Sequence, residues 1–274
     1  MGINFNWKKL RNMKQKEDKD DIELVPNHNA DPNAEISKNI NSGIFDLYDV
    51  YSYRHAAAIL KTSFPNELNE IEQALFKFRI TINDIASPGG NESVIPKQFS
   101  EYLRPYHWLE TRIQGDLIIR VSEQSEEIIS SGKLKKHKLP EKSPIILKNY
   151  IDGHKIDYVK GRVAFDIEWN SKDQTFDRDL YAFRMFHECS VISVAVLITR
   201  SEKLNMIFDV TPLLKKDFSI DFDKDGNKKL CKQKYGASTT WMGKLLYRLN
   251  AGRHGGCPVL VFGIKPSVVT DWQK

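Results

Sequence analysis

Apolar residues recur at helical spacing in the first part of the chain. The predicted helices span residues 53–60, 67–78 and 96–108. Pro65 precedes the second helix, and Pro105 is expected to divide the third because proline lacks the backbone N–H that a helix interior needs. Residues 87–93 are rich in Gly, Ser, Pro and Asn, which predicts a loop between the second and third helices.

The period of the pattern changes in the middle of the chain. Residues 155–170 predict two strands joined by a tight turn at Lys160 and Gly161, and residues 176–188 predict a helix. Residues 191–199 and 258–264 are almost entirely apolar, which is typical of strands buried on both faces. This order of elements predicts an α/β fold with a mixed central β-sheet flanked by helices.

Two segments are too polar to contribute much to that core. Residues 1–42 are rich in Lys, Asp, Glu and Asn, so we expect a flexible, charged N-terminal extension. The remaining residues, 43–274, are predicted to form one domain. Within this domain, residues 130–144 hold a basic run between Gly132 and Pro140, which predicts a surface loop.

Composition narrows the possible environments and partners. The net charge of +5 over 274 residues permits a polyanionic partner without requiring one. The three cysteines are widely separated and form no zinc-binding motif. No run approaches the roughly 18 apolar residues of a membrane helix, and the N-terminus lacks the apolar stretch of a secretory signal. We therefore expect a cytoplasmic protein without membrane contact.

The second predicted strand carries an unusual set of polar residues. Because side chains alternate along a strand, Asp166, Glu168 and Asn170 share one face. Neighbouring carboxylates repel each other, so this face needs either solvent or a cation, and a hard metal ion is the functional alternative to a merely solvated face. A turn at Lys160 and Gly161 would place Asp157 opposite Ala164, roughly 13 Å along the strand from Glu168. A shared metal site would then require a bulge, a splayed strand pair or a longer bend.

Residues 156–170, the helix that follows and residues 194–200 resemble the BglII/BstYI family of type II restriction endonucleases, in the PD-(D/E)XK nuclease superfamily. The resemblance covers residues 51–265 and implies a restriction-endonuclease-like core. It also implies that Asp157 and Glu168 are catalytic carboxylates that bind Mg²⁺. Asn170 stands where most of the superfamily has a catalytic lysine, and an amide cannot act as a general base at neutral pH. Lys172 is an alternative cation.

The resemblance implies further site residues. Glu110 is similar to a helical polar residue that supports the metal or its water, although it is equally compatible with an exposed helix glutamate. The hydroxyls before the helix of residues 241–248 resemble base-reading groups, but one of them could simply cap that helix. Arg253 is a candidate phosphate contact. The full set of candidate DNA-binding residues is Ser171, Lys172, Asp173, Ser238, Thr239, Thr240 and Arg253.

We expect a symmetric homodimer in which each subunit cuts one strand of duplex DNA, since a twofold enzyme matches a palindromic site. The family resemblance implies that this site is a short palindrome with a GATC-type centre. Two other functions remain open. One is a PD-(D/E)XK nuclease with a different role, such as repair or structure-specific cleavage. The other is a non-catalytic DNA-binding module with a degenerate nuclease core, which the replacement of the lysine by Asn170 suggests.

Overall fold

The computed structural model describes residues 29–88, 94–151 and 154–272. Their contacts divide the chain into two compact units. The first unit consists of the described residues of Met1–Thr111 and Ile156–Lys274, and the second is Arg112–Lys155. The range 43–274, predicted to be one domain, therefore contains a segment that forms a unit of its own.

Regular elements follow one another closely through the described residues. The α-helices are α1 (Asn33–Asn39), α2 (Ile44–Leu47), α3 (Ala56–Ser63), α4 (Pro65–Lys77), α5 (Ile82–Ala86), α6 (Val94–Leu103), α7 (Thr175–Glu188), α8 (Asn205–Phe208), α9 (Cys231–Lys234) and α10 (Met242–Asn250). The β-strands are β1 (Tyr48–Tyr53), β2 (Leu109–Arg112), β3 (Gly115–Ile119), β4 (Gln124–Ile128), β5 (Leu134–Lys138), β6 (Ile145–Ile151), β7 (Lys155–Lys160), β8 (Val163–Glu168), β9 (Val194–Arg200) and β10 (Val259–Ile264).

A six-stranded sheet in the order β1-β10-β9-β8-β7-β2 organises the molecule. Strand β9 runs parallel to both β8 and β10, whereas β1 and β7 are antiparallel to their neighbours β10 and β8. Every residue of β8, β9 and β10 is buried. The mixed sheet and the burial of both apolar strands, β9 and β10, are as predicted from the sequence.

Strand β1 was not predicted. The expected helix at residues 53–60 begins only at Ala56, and the preceding residues pair with β10 at the edge of the sheet. Tyr48, Val50 and Ser52 are buried while Asp49 and Tyr51 are half-buried, which is the period-two alternation of a strand. The predicted start of this helix was wrong because the alternation across Tyr48–Tyr53 was overlooked.

The described part of the predicted extension is not a charged tail. Residues 33–39 form α1, and the side chains of Ile36 and Ile40 are 1% and 4% exposed in the hydrophobic core. These two isoleucines, four residues apart, give the segment enough apolar surface to dock. The boundary at residue 42 is therefore corrected, and residues 1–28 lie outside the described part of the chain.

The second unit consists of two-stranded sheets, β3 with β6 and β4 with β5. The basic run, predicted to be a loop, forms β5 instead, although its side chains are largely exposed as expected. Cross-strand charge pairing accounts for the strand, because Lys136 lies opposite Glu126 with their charged atoms 3.3 Å apart, and Lys135 lies opposite Glu127.

Candidate active site

The hairpin of β7 and β8 sets the register of the acidic residues. Lys160 pairs with Val163, so the turn residues are Gly161 and Arg162. Gly161 takes the first central position with φ 55°, a conformation that glycine adopts without strain. Tyr158 pairs with Phe165, which brings Asp157 beside Asp166. The predicted placement of Asp157 opposite Ala164 was therefore wrong by two residues.

At the open end of this hairpin, side chains replace the backbone ladder. The backbone N–H of Asp157 donates to Oδ1 of Asp166 at 2.7 Å, and the backbone N–H of Ile167 donates to Oδ2 of Asp157 at 3.4 Å. A carboxylate that accepts a bond from the opposite backbone requires the strands to separate. Because Asp157 lies beside Asp166, two residues from Glu168, a site shared by Asp157 and Glu168 does not have to bridge the longer distance expected from the sequence.

A third element adds another carboxylate to this region. Asp179 of α7 is 1% exposed and occurs at helical spacing among the buried residues Phe176, Leu180 and Phe183. Asp166 and Glu168 are also buried, at 4% and 8% exposure. Asp179 was not among the site residues predicted from the sequence. An aspartate on an otherwise apolar helix face was the available signal.

Burial and mutual repulsion disfavour the charged forms of these carboxyls. The pKa of Asp166 lies well above its usual range because the group is buried and because Asp179 and Asp157 are nearby. Burial and the charge of Asp179 raise the pKa of Glu168 to about 8. The pKa of Asp157 is also raised, mainly by burial and then by Asp179 and Glu110. The clustered carboxyls therefore favour binding of either protons or a cation.

Three buried oxygen atoms near the end of β8 have no hydrogen-bond partner in the described part of the chain: Oδ2 of Asp166, Oε2 of Glu168 and Oδ1 of Asn170. A buried polar atom without a partner costs about 1–3 kcal/mol, so such a set calls for a compensating ligand. Carboxylate and amide oxygens are the donors that hard divalent cations prefer. The residues present therefore fit Mg²⁺.

Among the described residues, one group of three candidate metal ligands has all its ligand atoms close together, and none of its members belongs to the acidic cluster on β7, β8 and α7. Asp31, Glu35 and His55 form this group. Its atoms already bond to neighbours, since His55 Nδ1 lies 2.7 Å from Glu35 Oε1 and Ser52 donates to Asp31. Asp157 and Glu168 are not part of this group.

Glu110 lies on β2 and is exposed, not on a helix as predicted. Helix α6 ends at Leu103 and a 3-10 turn covers Arg104–Tyr106, where Pro105 cannot donate the next helical bond. The side chain nevertheless lies close enough to Asp157 for its charge to raise the pKa of that carboxyl.

Asn170 and Lys172 follow β8 in different surroundings. Asn170 is half-buried, whereas Lys172 is exposed. The backbone carbonyl of Lys172 accepts bonds from the N–H and hydroxyl of Thr175 at the start of α7. The backbone around Lys172 is thereby fixed while its ammonium group faces outward.

The two predicted DNA-binding segments lie side by side. The N–H of Thr240 donates to the carbonyl of Ser171 at 2.9 Å, and the N–H of Asp173 donates to the carbonyl of Ser238 at 3.0 Å. Lys172 and Thr239 form the antiparallel bridge between these bonds. We call residues 171–173 and 238–240 together the junction. It connects the end of the acidic strand β8 to the segment that precedes α10.

The three hydroxyls of the junction differ in availability. Ser238 is exposed, whereas Thr240 is 0% exposed. The hydroxyl of Thr239 donates to the carbonyl of Gly236 at 2.7 Å and accepts a bond from Arg200 at 2.6 Å. Ser238 is therefore the member of the three that is best placed to contact another molecule.

Arg253 lies beyond α10 and bonds to a carboxylate of the same protein. Its guanidinium contacts Asp177, which also accepts a hydrogen bond from Arg248 at 2.9 Å. Arg248 lies 3.6 Å from Asp173 as well, so these ion pairs reach the junction. Bonds from the two arginines lower the pKa of Asp177. Arg253 remains 44% exposed.

The mixed sheet flanked by helices, with buried carboxylates on β8, is consistent with a restriction-endonuclease-like fold. Residues 48–264 match the family described as Restriction endonuclease BglII/BglIII, and the chain belongs to this family. It is accordingly a type II site-specific deoxyribonuclease that acts on double-stranded DNA, as the resemblance implied. Among curated proteins, no sequence matches the chain significantly. No helix in the described residues is long and apolar enough to cross a membrane.

Proposed function

We propose that this endonuclease requires Mg²⁺, which Asp157 and Glu168 hold, and that it cuts both strands at a short palindromic site. The observation that carries the proposal is the set of oxygens at the end of β8 that have no partner among the described residues, where Asp166 Oδ2 and Glu168 Oε2 are buried on one strand face. Two nearby buried carboxylates that each leave one oxygen without a donor among the described residues are costly unless a cation compensates them.

Each residue of the site has a distinct proposed role. Mg²⁺, when bound, lowers the pKa of its water and offsets charge on the scissile phosphate. Asp157 and Glu168 hold the ion, and the bond from Asp157 N–H fixes Asp166 beside them. Asn170 orients the attacking water through its amide without taking the proton. Glu110 supports the ion or its water from β2.

The junction is the proposed surface for reading bases. Residues 171–173 closely follow the acidic strand β8, and they pair with the segment that contains the exposed Ser238. Small hydroxyl groups, amides and charged side chains are suited to base edges in the major groove. Thr239 and Thr240 support this surface from within. Arg253 is proposed to contact a phosphate, which positions the DNA without reading its sequence.

A palindromic site implies a symmetric enzyme, so we propose a homodimer in which each protomer cuts one strand. The site is proposed to be short with GATC at its centre, and the protein to act in the cytoplasm. Two other functions are distinguishable: a nuclease with a repair or structure-specific role, and a DNA-binding module without catalysis.

Digestion of genomic DNA of known sequence tests the proposal directly. The protein is incubated with Mg²⁺ or with a chelator, and the ends of the products are sequenced. Discrete fragments that share one palindromic end sequence, formed only with Mg²⁺, are the expected result. Fragments without a common sequence would indicate the repair or structure-specific role. Intact DNA under both conditions, together with retained binding, would indicate the non-catalytic module.

A further inference from the structure

Arg200, the last residue of β9, is an almost fully buried arginine. Its side chain is 1% exposed. No ion pair in the described part of the chain includes Arg200, so its charge is met by neutral groups. Burying a charge without a counter-ion is unfavourable, so the neutral groups around Arg200 have to compensate for its lost hydration.

The guanidinium of Arg200 links Trp169, which directly follows the acidic strand β8, to the junction. Nε of Arg200 donates to the carbonyl of Trp169 at 2.7 Å and to that of Thr240 at 3.1 Å. One terminal nitrogen donates to the hydroxyl of Thr239 at 2.6 Å and to the Thr240 carbonyl at 2.7 Å. Trp169 lies between Glu168 and Asn170, so one planar group contacts both the acidic strand and the segment before α10.

Aromatic rings hold this guanidinium in place. Its central carbon lies 4.8 Å from the ring centroid of Tyr235, 5.4 Å from that of Phe208 and 5.9 Å from that of Trp169. The indole N–H of Trp169 donates to the hydroxyl of Tyr235 at 3.3 Å. Attraction between the cation and these ring faces compensates part of the cost of burial and restricts where the side chain can move.

A cavity of about 320 Å³ lies beside residues that flank Thr239 and Thr240 in sequence. Its lining includes Tyr235, Gly236, Ala237 and Trp241 together with Arg200. A segment beside a cavity is not fixed by close packing there. Its position relative to the acidic strand therefore depends on hydrogen bonds, which are the backbone bonds within the junction and the bonds that Arg200 donates.

We propose that Arg200 is a positioning residue that couples base reading at the junction to alignment of the catalytic strand, so that cleavage depends on the correct sequence. The inference rests on the proposed role of the junction. Arg200 itself does not touch the reacting atoms. It acts by fixing the junction relative to Trp169, the residue between Glu168 and Asn170.

Arg200→Lys tests the inference because lysine keeps the charge but loses the planar fork that reaches two segments at once. Cleavage of a duplex with the sequenced site is compared with cleavage of duplexes changed at one base, well below the melting temperature of each variant. We expect kcat on the cognate duplex to fall at least about tenfold, and discrimination to fall by a similar factor. KM should stay within about twofold because phosphate contacts are unchanged.

Arg79→Lys is the matched control. Arg79 also donates to backbone carbonyls, those of Phe76 and Phe78, but at the end of α4. This variant should keep wild-type kcat and discrimination even if its melting temperature falls. An Arg200→Lys enzyme with wild-type kcat and discrimination would overturn the inference, whatever its melting temperature.

Thr239→Val keeps the inference testable if Arg200→Lys fails to fold. It removes the hydroxyl that Arg200 reaches, together with that hydroxyl's bond to the Gly236 carbonyl, and preserves the branched shape of the side chain. Reduced discrimination with an unchanged melting temperature supports the coupling, and unchanged discrimination contradicts it. Glu168→Ala separates this inference from the proposed catalytic centre: an active Glu168→Ala enzyme overturns the centre but leaves the result for Arg200 to be judged by its own variants.

Discussion

Asp166 accepts a hydrogen bond from the backbone N–H of Asp157 at 2.7 Å, in a position where an ordinary hairpin would continue its ladder. This contact brings two acidic residues of adjacent strands together inside the sheet. Repulsion between their charges must then be compensated, either by retained protons or by a cation.

The stability of the metal-free protein is expected to fall as pH rises. The folded pKa of Glu168 is about 8, above its ordinary value of 4.5, so the folded state retains a proton that the unfolded state releases. Stability from this group is therefore full below about pH 4.5 and is lost as pH rises through about 8. Added Mg²⁺ should reverse the loss, most strongly near pH 8. Thermal melting with Mg²⁺ or with a chelator measures this.

Glu168→Gln is the control for the pH effect because its amide stays neutral. Its melting temperature should vary less with pH, and Mg²⁺ should stabilise it less than the wild type. A wild-type melting temperature that is independent of both pH and Mg²⁺ would contradict a cation-binding cluster.

Removing a proposed metal ligand should separate cleavage from binding. Glu168→Ala is expected to abolish cleavage while specific DNA binding survives, because the change also reduces repulsion of the phosphate. Asp157→Asn should behave in the same way. Glu188→Ala, an exposed glutamate paired with Arg184 on α7, removes the same charge elsewhere and should cleave normally. Plasmid cleavage and binding titrations without metal give the two readouts, and a fully active Glu168→Ala enzyme would falsify the centre.

Part of this site was predictable from the sequence, and the rest depends on tertiary packing. Alternation with a period of two places Asp166, Glu168 and Asn170 on one face of a strand, and the apolar runs predict β9 and β10. The register of Asp157 was also within reach, because Gly161 favours the first position of the turn. The contact between residues 171–173 and 238–240 was not, since neither segment has a periodic pattern that indicates its partner.

The N-terminal helix α1 is expected to contribute to stability, contrary to the expectation from its charged surroundings. Ile36→Ala should lower the free energy of unfolding by about 2–5 kcal/mol because a fully buried branched side chain is truncated. Deleting residues 1–42 should be at least as destabilising. Ser37→Ala, at an exposed position of the same helix, is the control. Denaturant unfolding measures these values, and an unchanged midpoint for Ile36→Ala would show that α1 does not pack as described.

Single-turnover cleavage tests whether Asn170 or Lys172 takes the role of the catalytic lysine that most of the superfamily has. Asn170→Ala should retain DNA binding and lose most of the cleavage rate, because the half-buried amide follows β8 directly. Lys172→Ala should change the rate little if its exposed ammonium only contacts DNA. The opposite pattern, a normal rate for Asn170→Ala and a large loss for Lys172→Ala, would assign the role of the usual lysine to Lys172.

Loss of a base contact and loss of a phosphate contact should have different effects on the affinity for cognate and scrambled DNA. Ser238 has the exposed hydroxyl of the junction, so Ser238→Ala should cost roughly 1–3 kcal/mol on the cognate duplex and little on a scrambled one. Arg253→Ala should weaken both complexes and flatten their salt dependence. Asp177→Asn releases Arg253 from its carboxylate partner and should strengthen both complexes. Titrations of cognate and scrambled duplexes at several salt concentrations measure these effects, and an unchanged ratio of the two affinities in Ser238→Ala would exclude this hydroxyl as a reader.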